Sequence, residues 1–348
     1  MKITLQEVAD RIKKANKILL TAHTSPDGDA IGSTLAMLQI LREMGKQPQI
    51  FIDDKLPRNF SVLPYEEEIS RPFEGERLDA DLLVILDTAP DRIGKVETMT
   101  DAPILNIDHH ITNKGEIGEV YVEPTAAATC EIIYKLCKEL GVEISKNIAV
   151  CLYSGIATDT GFFNYSNTRP ATLRAVADLV EIGVEPNIIA EQFEKRTFRD
   201  VKVMSAALQT TKMFYGGKVV GMFIDSNFAK KVDTTEGFID LIRVIDSVEV
   251  AFLLTCKGDK FCRVSMRSKE ADVSEIARRL GGGGHIRAAG CSIMKSFEES
   301  KKMLVEAIGN YLFEIDYILE EDFEDKREIA LNDFEISPLN EVVVSAGN

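Results

Sequence analysis

Residues 17–33 read KILLTAHTSPDGDAIGS. A short apolar run, KILLTA (17–22), gives way to a polar loop holding Pro26 and Gly28, and then to an apolar helical stretch expected over 30–44. The run is too short for a buried helix and is bounded by polar residues, so it reads as a strand buried on both faces. Three more runs repeat the pattern: PQIFID (48–53), DLLVILD (81–87) and PILNID (103–108), with a second helical stretch at 126–140 among the connections. Strands that alternate with helices imply an α/β fold built on a parallel, doubly wound sheet.

In such sheets ligands sit outside the carboxyl ends of the strands. The polar clusters of this chain fall at those ends: HTSPDGD follows the first strand, Asp87 closes the third, and NIDHHITN (106–113) closes the fourth. A further apolar helical stretch, NIAVCLYSGIATDT (147–160), carries Asp159 near its C-terminal end. The chain has only four histidines, and two of them stand side by side as His109 and His110.

The 348 residues exceed what a single core of about 250–300 residues ordinarily holds, so two domains are expected. The first is read as 1–190, a helical linker of alternating charge as 191–215, a smaller α/β domain as 216–314, and an acidic extension as 315–348. The second domain is expected to contain strands 218–224, 248–256, 260–267 and 287–294, helices 273–280 and 298–312, and a glycine loop between them. The extension reads as solvated or loosely docked.

Apolar residues make up 45% of the chain and charged residues 28%, an ordinary globular composition. No apolar run approaches the roughly 20 residues of a membrane span, and MKITLQEVADRIKKANKILL lacks the apolar block of a secretory signal. A cytoplasmic protein without membrane contact is expected. The six cysteines form no CxxC pair and several lie in apolar runs, so they read as reduced, buried thiols. A net charge of −15 argues against binding long duplex nucleic acid but admits a small phosphorylated ligand held by local cations.

Taken singly, an aspartate at a strand end is ordinarily a turn or cap residue, and a lone histidine a satisfied surface group. Here His23, Asp27, Asp29, Asp87, His109 and Asp159, with His110 adjacent, converge on one rim. So many carboxylates together would raise one another's pKa values, and metal ions remove that conflict. Acid and imidazole ligands without thiolate suit Mn²⁺, Fe²⁺ or Zn²⁺ better than Ca²⁺. Six candidate ligands exceed what one open ion takes from protein, so two ions are implied. Pro26 and Gly28 are expected to force a tight loop that aims Asp27 and Asp29 at neighbouring ions, with the following helix start favouring an anion. In the second domain GGGGHIRAAG reads either as a helix cap with a flexible turn or as a phosphate cradle. Gly282, Gly283, Gly284, His285, Arg267 and Ser268 are the candidate contacts, and Arg263 and Arg287 weaker ones.

HTSPDGDAIGS, Asp87 in LLVILDTAP, NIDHHITN and Asp159 in GIATDTG resemble the four motifs of the DHH phosphoesterases. GGGGHIRAAGC, preceded by VSMRSK, resembles that superfamily's DHH-associated domain, and the likeness covers roughly residues 15–312. The short two-domain layout is most similar to the nanoRNase and pAp-phosphatase branch. The resemblance implies Mn²⁺, with Mg²⁺, Co²⁺ or Fe²⁺ as substitutes. It implies His23, Asp27 and Asp87 on one ion, and Asp29, Asp87, His109 and Asp159 on the other, with Asp87 bridging. It also implies that His110 faces the scissile phosphate and Asp108 orients the histidines.

The expected activity is hydrolysis of short RNA oligonucleotides or of 3′-phosphoadenosine 5′-phosphate (pAp). A phosphodiesterase for cyclic di-AMP or pApA, and a non-catalytic nucleotide sensor, stay open as rivals, as does a homodimer.

Overall fold

The computed structural model describes residues 1–313 apart from 57, 233 and 236; the acidic extension expected at 315–348 lies outside the described residues. The chain opens with α1 (Leu5–Lys14), capped by Thr4 and Glu7 in a reciprocal box. It continues through β1 (Lys17–Thr21), α2 (Gly28–Glu43), β2 (Gln47–Phe51), the two-residue β3 (Ile69–Ser70), β4 (Leu82–Leu86), β5 (Ile104–Asp108) and β6 (Glu119–Val122). Three helices follow: α3 (Thr129–Leu140), α4 (Lys146–Asp159) and α5 (Pro170–Ile182).

All neighbouring strands of the first sheet are parallel, in the order β3-β2-β1-β4-β5-β6. The order reverses direction between β1 and β4, which is where a doubly wound sheet leaves a crevice at its carboxyl edge. Alternate side chains go to opposite faces. Ile18, Leu20, Val84, Leu86 and Ile107 pack under α1 to α4, while Leu19, Leu83 and Ile85 meet Ile93, Val96 and Met99. That second face is covered by short 3₁₀ turns at 90–98.

Two helices, α6 (Pro186–Glu194) and α7 (Phe198–Leu208), lead to the second sheet. The sheet comprises β7 (Lys212–Phe214), β8 (Val219–Ile224), β9 (Val250–Cys256), β10 (Cys262–Ser268), β11 (Gly283–His285) and β12 (Ala288–Ile293). Between them lie α8 (Ser226–Ala229), α9 (Phe238–Arg243) and α10 (Val273–Arg279), and α11 (Phe297–Phe313) closes the unit. Its order is β11-β12-β10-β9-β8-β7, antiparallel except for β8 and β9. One face packs on α10 and α11 through Val264, Met266, Ile276 and Leu304. On the other, Val220, Met222, Ala251 and Leu253 pack on α7 and α9.

Three readings change. The glycine loop contains a strand, because Gly283–His285 pairs with Ala288–Gly290 in a register that sequence propensity does not reveal. Cys256 and Cys262 form a disulfide, since the β9–β10 hairpin sets them directly opposite with Cα atoms 3.9 Å apart. The other four cysteines are free and buried, as expected. Gly28 is the first residue of α2 and makes no turn; a Cβ there would lie 2.2 Å from Thr158 Oγ1 of α4. The left-handed residue of the loop is Ser25, at φ 56°. No helix among the described residues is long and apolar enough to cross a membrane.

Candidate metal centre

The crevice between β1 and β4 holds the acids and imidazoles expected there. Asp87 follows β4, its N–H still in the ladder to Ile107 O at 3.0 Å, with a left-handed φ of 61°. A non-glycine residue in that conformation is uncommon and tolerated best by Asp and Asn. The bend drives its carboxylate into the crevice, where it is 1% exposed.

The two oxygens of Asp87 face two separate groups. Oδ2 lies 3.7 Å from His23 Nε2, which is itself 3.8 Å from Asp27 Oδ2. Oδ1 lies 3.4 Å from His109 Nε2, and that nitrogen is also 3.4 Å from Asp159 Oδ2 and 3.8 Å from Asp29 Oδ2. Ligands disposed tetrahedrally about 2.1 Å from one ion stand about 3.4 Å apart. His23, Asp27 and Asp87, and likewise Asp29, Asp87 and His109, lie close enough together to share a cation, with Asp159 joined to the second group through His109. Each imidazole is aimed by its other nitrogen: His23 Nδ1 is 2.9 Å from Thr24 O, and His109 Nδ1 is 3.3 Å from Ala126 O. Metal-ligating histidines are ordinarily oriented in this way. His109 Nε2 and Asp159 Oδ2 are buried and have no hydrogen-bond partner among the described residues. A cation fits that chemistry, because buried polar atoms without partners are costly.

The site's charges conflict when no cation balances them. Burial pushes Asp29 well above the ordinary carboxylate range, and the neighbouring Asp87 adds to it. Burial also lifts Asp159 to about 6, against the opposing pull of His109. Asp87 goes the other way: burial opposes ionisation, but the imidazoles of His109 and His23 beside it outweigh that and hold it well below the ordinary carboxylate range. Burial works against protonating His23, yet Asp87 and Asp27 hold it up at about 9. His109 is raised in the same way by Asp159, Asp87 and Asp29.

Asp108 is fully buried at the end of β5 and organises the histidine pair. Its Oδ1 accepts from the N–H of His109 at 2.7 Å and of His110 at 3.0 Å, and lies 2.8 Å from His110 Nδ1. Its Oδ2 accepts from Asn113 Nδ2 at 2.7 Å. Asn113 also donates to Asn106 Oδ1, and Asn106 donates to Ile85 O and Thr88 O. Burial works against ionising Asp108, but the charge and hydrogen bond of His110 hold it below its ordinary range. His110 is raised correspondingly, against its own burial.

Sequence reasoning missed Asn106, Asn113 and the start of α3. Asp29 accepts from Thr129 N at 2.6 Å and Cys130 N at 2.8 Å, and Thr129 Oγ1 donates to Asp87 Oδ1 at 3.1 Å. An asparagine inside the apolar run PILNID was a usable signal. Nothing local marked Thr129, whose partner Asp29 is 100 residues away in sequence.

From the second sheet, His285 reaches the pair. Its ring centroid is 4.7 Å from both His109 and His110, stacked on the latter at 19°. Burial and the two neighbouring imidazoles lower it to about 3, so it is neutral. A Cβ on Gly283 would lie 3.2 Å from Thr112 Oγ1, which places that backbone against the same rim. Gly282 and Gly284 have local reasons: a Cβ would meet Gly290 O at 2.1 Å and Ala288 O at 2.6 Å. Arg267 shares a row with His285 through Ala288, and its buried Nε has no partner among the described residues. Ser268 Oγ donates to Ala271 O at 2.5 Å, so that hydroxyl is already engaged. Arg287 Nη1 likewise donates to Ala271 O at 3.1 Å.

Residues 17–156 match the DHH family N-terminal domain, and residues 216–314 the DHHA1 domain. A protein of Thermus thermophilus named bifunctional oligoribonuclease and PAP phosphatase NrnA is 33% identical over 304 residues, 86% of this chain and 92% of that one. The cyclic-di-AMP phosphodiesterase PdeA of Listeria monocytogenes is 25% identical over 331 residues, 89% of this chain but 50% of that one. An exopolyphosphatase-related protein of Bacteroides fragilis has the same fold, with TM-score 0.76 and 23% identity, covering 88% of this chain and 96% of the other. With both domain types in order and a relative at that identity along nearly its whole length, the chain belongs to the DHH family of phosphoesterases.

Proposed function

We propose that this protein hydrolyses very short oligoribonucleotides and removes a phosphate from pAp, using two divalent cations, with Mn²⁺ the ion we expect. The observation that carries the reading is Asp87, whose two carboxylate oxygens face two separate ligand groups at 3.7 and 3.4 Å. In this reading His23, Asp27 and Asp87 hold one ion, and Asp29, Asp87, His109 and Asp159 the other. Such a pair, when bound, lowers the pKa of a water and stabilises both attacking and leaving oxygens.

The chain's own groups do the remaining work. Asp108 engages His110 Nδ1, which leaves Nε2 to donate to a phosphate oxygen. Against its own burial, the Asp108 carboxylate raises the pKa of that imidazole and so favours the charged form that would stabilise or protonate the departing oxygen. Arg267, His285 and the backbone of Gly283 supply donors from the opposite wall, where the neutral His285 adds no repulsion to its imidazole neighbours. Gly282, Gly284 and Ser268 hold that wall in shape. With a net charge of −15, the surface disfavours long polyanions, so short substrates are selected.

The test is turnover with Mn²⁺ on pAp, pApA, a five-nucleotide RNA and cyclic di-AMP, with an EDTA control. Release of AMP from pAp and the RNA, little from the cyclic compound and none in EDTA, is expected. Dominant cleavage of cyclic di-AMP would transfer the chain to the activity for which the Listeria relative is named. Binding without any turnover would make it a sensor.

A further inference from the structure

The second sheet has a face that its own helices cover only in part. Over β8 and β9 that face is sealed by α7 and α9. It continues onto β10, where strand alternation puts Arg263, Ser265 and Arg267 on the side away from the buried Cys262, Val264 and Met266. Cross-strand pairing sets Ser292 beside Arg263, Gly290 beside Ser265 and Ala288 beside Arg267. One side chain that leaves this half of the face, that of Arg263, reaches a residue of the first unit.

Arg263 Nη1 donates to Ser25 Oγ at 2.9 Å, across 238 residues of sequence. Ser25 is held from its other side, where its N–H and hydroxyl donate to Asp54 Oδ2 at 2.7 and 3.1 Å. A hydroxyl has one proton and two lone pairs. The chain Arg263 to Ser25 to Asp54 therefore uses the serine as acceptor and donor at once, and runs from a cation to an anion. Ser25 is also the left-handed residue of the loop, at φ 56°, two positions from His23 and two from Asp27.

We propose that Arg263 is a positioning residue: its bond to Ser25 sets the β10 face that carries Arg267 in register with the loop that carries His23 and Asp27. Four residues of strand span about 13 Å, so a fixed Arg263 leaves Arg267 little freedom relative to the crevice. The rim and the opposite wall are then held as one frame, and substrate meets both at once. The role in turnover rests on the phosphoesterase reading; the bond itself does not. An exposed arginine would otherwise contribute little.

The experiment is a double-mutant cycle with Arg263→Met and Ser25→Ala, read as kcat and KM on pAp with Mn²⁺, after melting curves confirm that each variant folds. Each single change is expected to lower kcat/KM about tenfold, chiefly through KM, with the double variant no worse than the poorer single. Arg263→Lys, which keeps a donor, should recover part of the loss. Losses that multiply to about a hundredfold would show that Arg263 acts on substrate independently of Ser25 and would overturn the proposal, as would an Arg263→Met enzyme equal to wild type. If the wild-type protein turns over none of the panel substrates, the phosphoesterase reading fails by itself. The cycle is then read on Mn²⁺ affinity by calorimetry: equal weakening in both singles and the double sustains the bond's role, and independent or absent effects refute it.

Discussion

Replacing Asp108 by Asn separates two roles that the crevice allows this carboxylate. Asp87, Asp108 and His110 offer ligand atoms close enough for a cation, whereas the hydrogen bonds on Asp108 describe an acid that aims a histidine. In Asp108→Asn the amide oxygen can still accept from His109 N, His110 N and His110 Nδ1. Its NH₂ then confronts Asn113 Nδ2, now 2.7 Å from the carboxylate. Turning Asn113 over does not help, because its oxygen accepts from Gly115 N at 3.1 Å and its nitrogen donates to Asn106 at 2.7 Å. One buried donor is left unpaired, at about 1–3 kcal/mol of stability. Exchanging the charge-assisted bond to His110 for a neutral one removes about 1–1.5 kcal/mol more from that contact. If His110 uses its proton in the rate-limiting step, kcat falls roughly tenfold. Urea unfolding, steady-state kinetics and Mn²⁺ calorimetry on the same preparation give all three quantities. The expected result is lower stability, kcat down about tenfold and Mn²⁺ affinity within about threefold of wild type. A hundredfold loss of Mn²⁺ affinity would make Asp108 a ligand and refute the argument.

Other outcomes test the remaining parts. Asp87→Asn keeps a residue that accepts φ 61° but removes the charge that would bridge the two proposed cations, so turnover should fall at least about a hundredfold; Mn²⁺-dependent activity within tenfold of wild type contradicts the proposal. Arg267→Ala should raise KM more than it lowers kcat, and a collapse in kcat at unchanged KM would show that its role has been misplaced. His23, held at about 9 without a cation against an ordinary 6.5, favours its charged form in the fold. Its contribution to metal-free stability is full below 6.5 and lost as pH rises through 9, and a cation must displace that proton. Mn²⁺ loading at pH 7.5 should therefore release protons, with affinity rising toward pH 9; calorimetry in buffers of different ionisation enthalpy would read no release if the reasoning fails.

The strands that carry the site were legible because each is an apolar run ending in polar residues: β1, β2, β4 and β5 fall within two residues of their expected limits. β6 was not, since Glu119–Val122 is short and only one of its residues is buried. β11 was invisible because glycines have little strand preference, and only register against β12 makes Gly283–His285 a strand. The acids and histidines stood out through their chemistry and their place at strand ends. Thr129 could not, because what matters about it is a partner more than 40 residues distant, and Arg263 was legible only as a weaker candidate for substrate, its bond to Ser25 lying 238 residues away in sequence. The disulfide escaped for a similar reason: a separation of six means nothing until the hairpin's register is known.

The carboxylate of Asp29 takes both leading N–H groups of α3 and at the same time faces His109. The helix start thus supplies the acid with partners of its own, so that, on the two-cation proposal, this part of the site is built by the fold and the cations join it. Ion choice then becomes an exchange equilibrium at a finished protein. Occupancy would follow the free-ion activities of the surrounding medium and the history of a preparation, with copper or zinc able to displace a weaker binder. Two samples of one sequence could then differ in activity while sharing every bond of the fold.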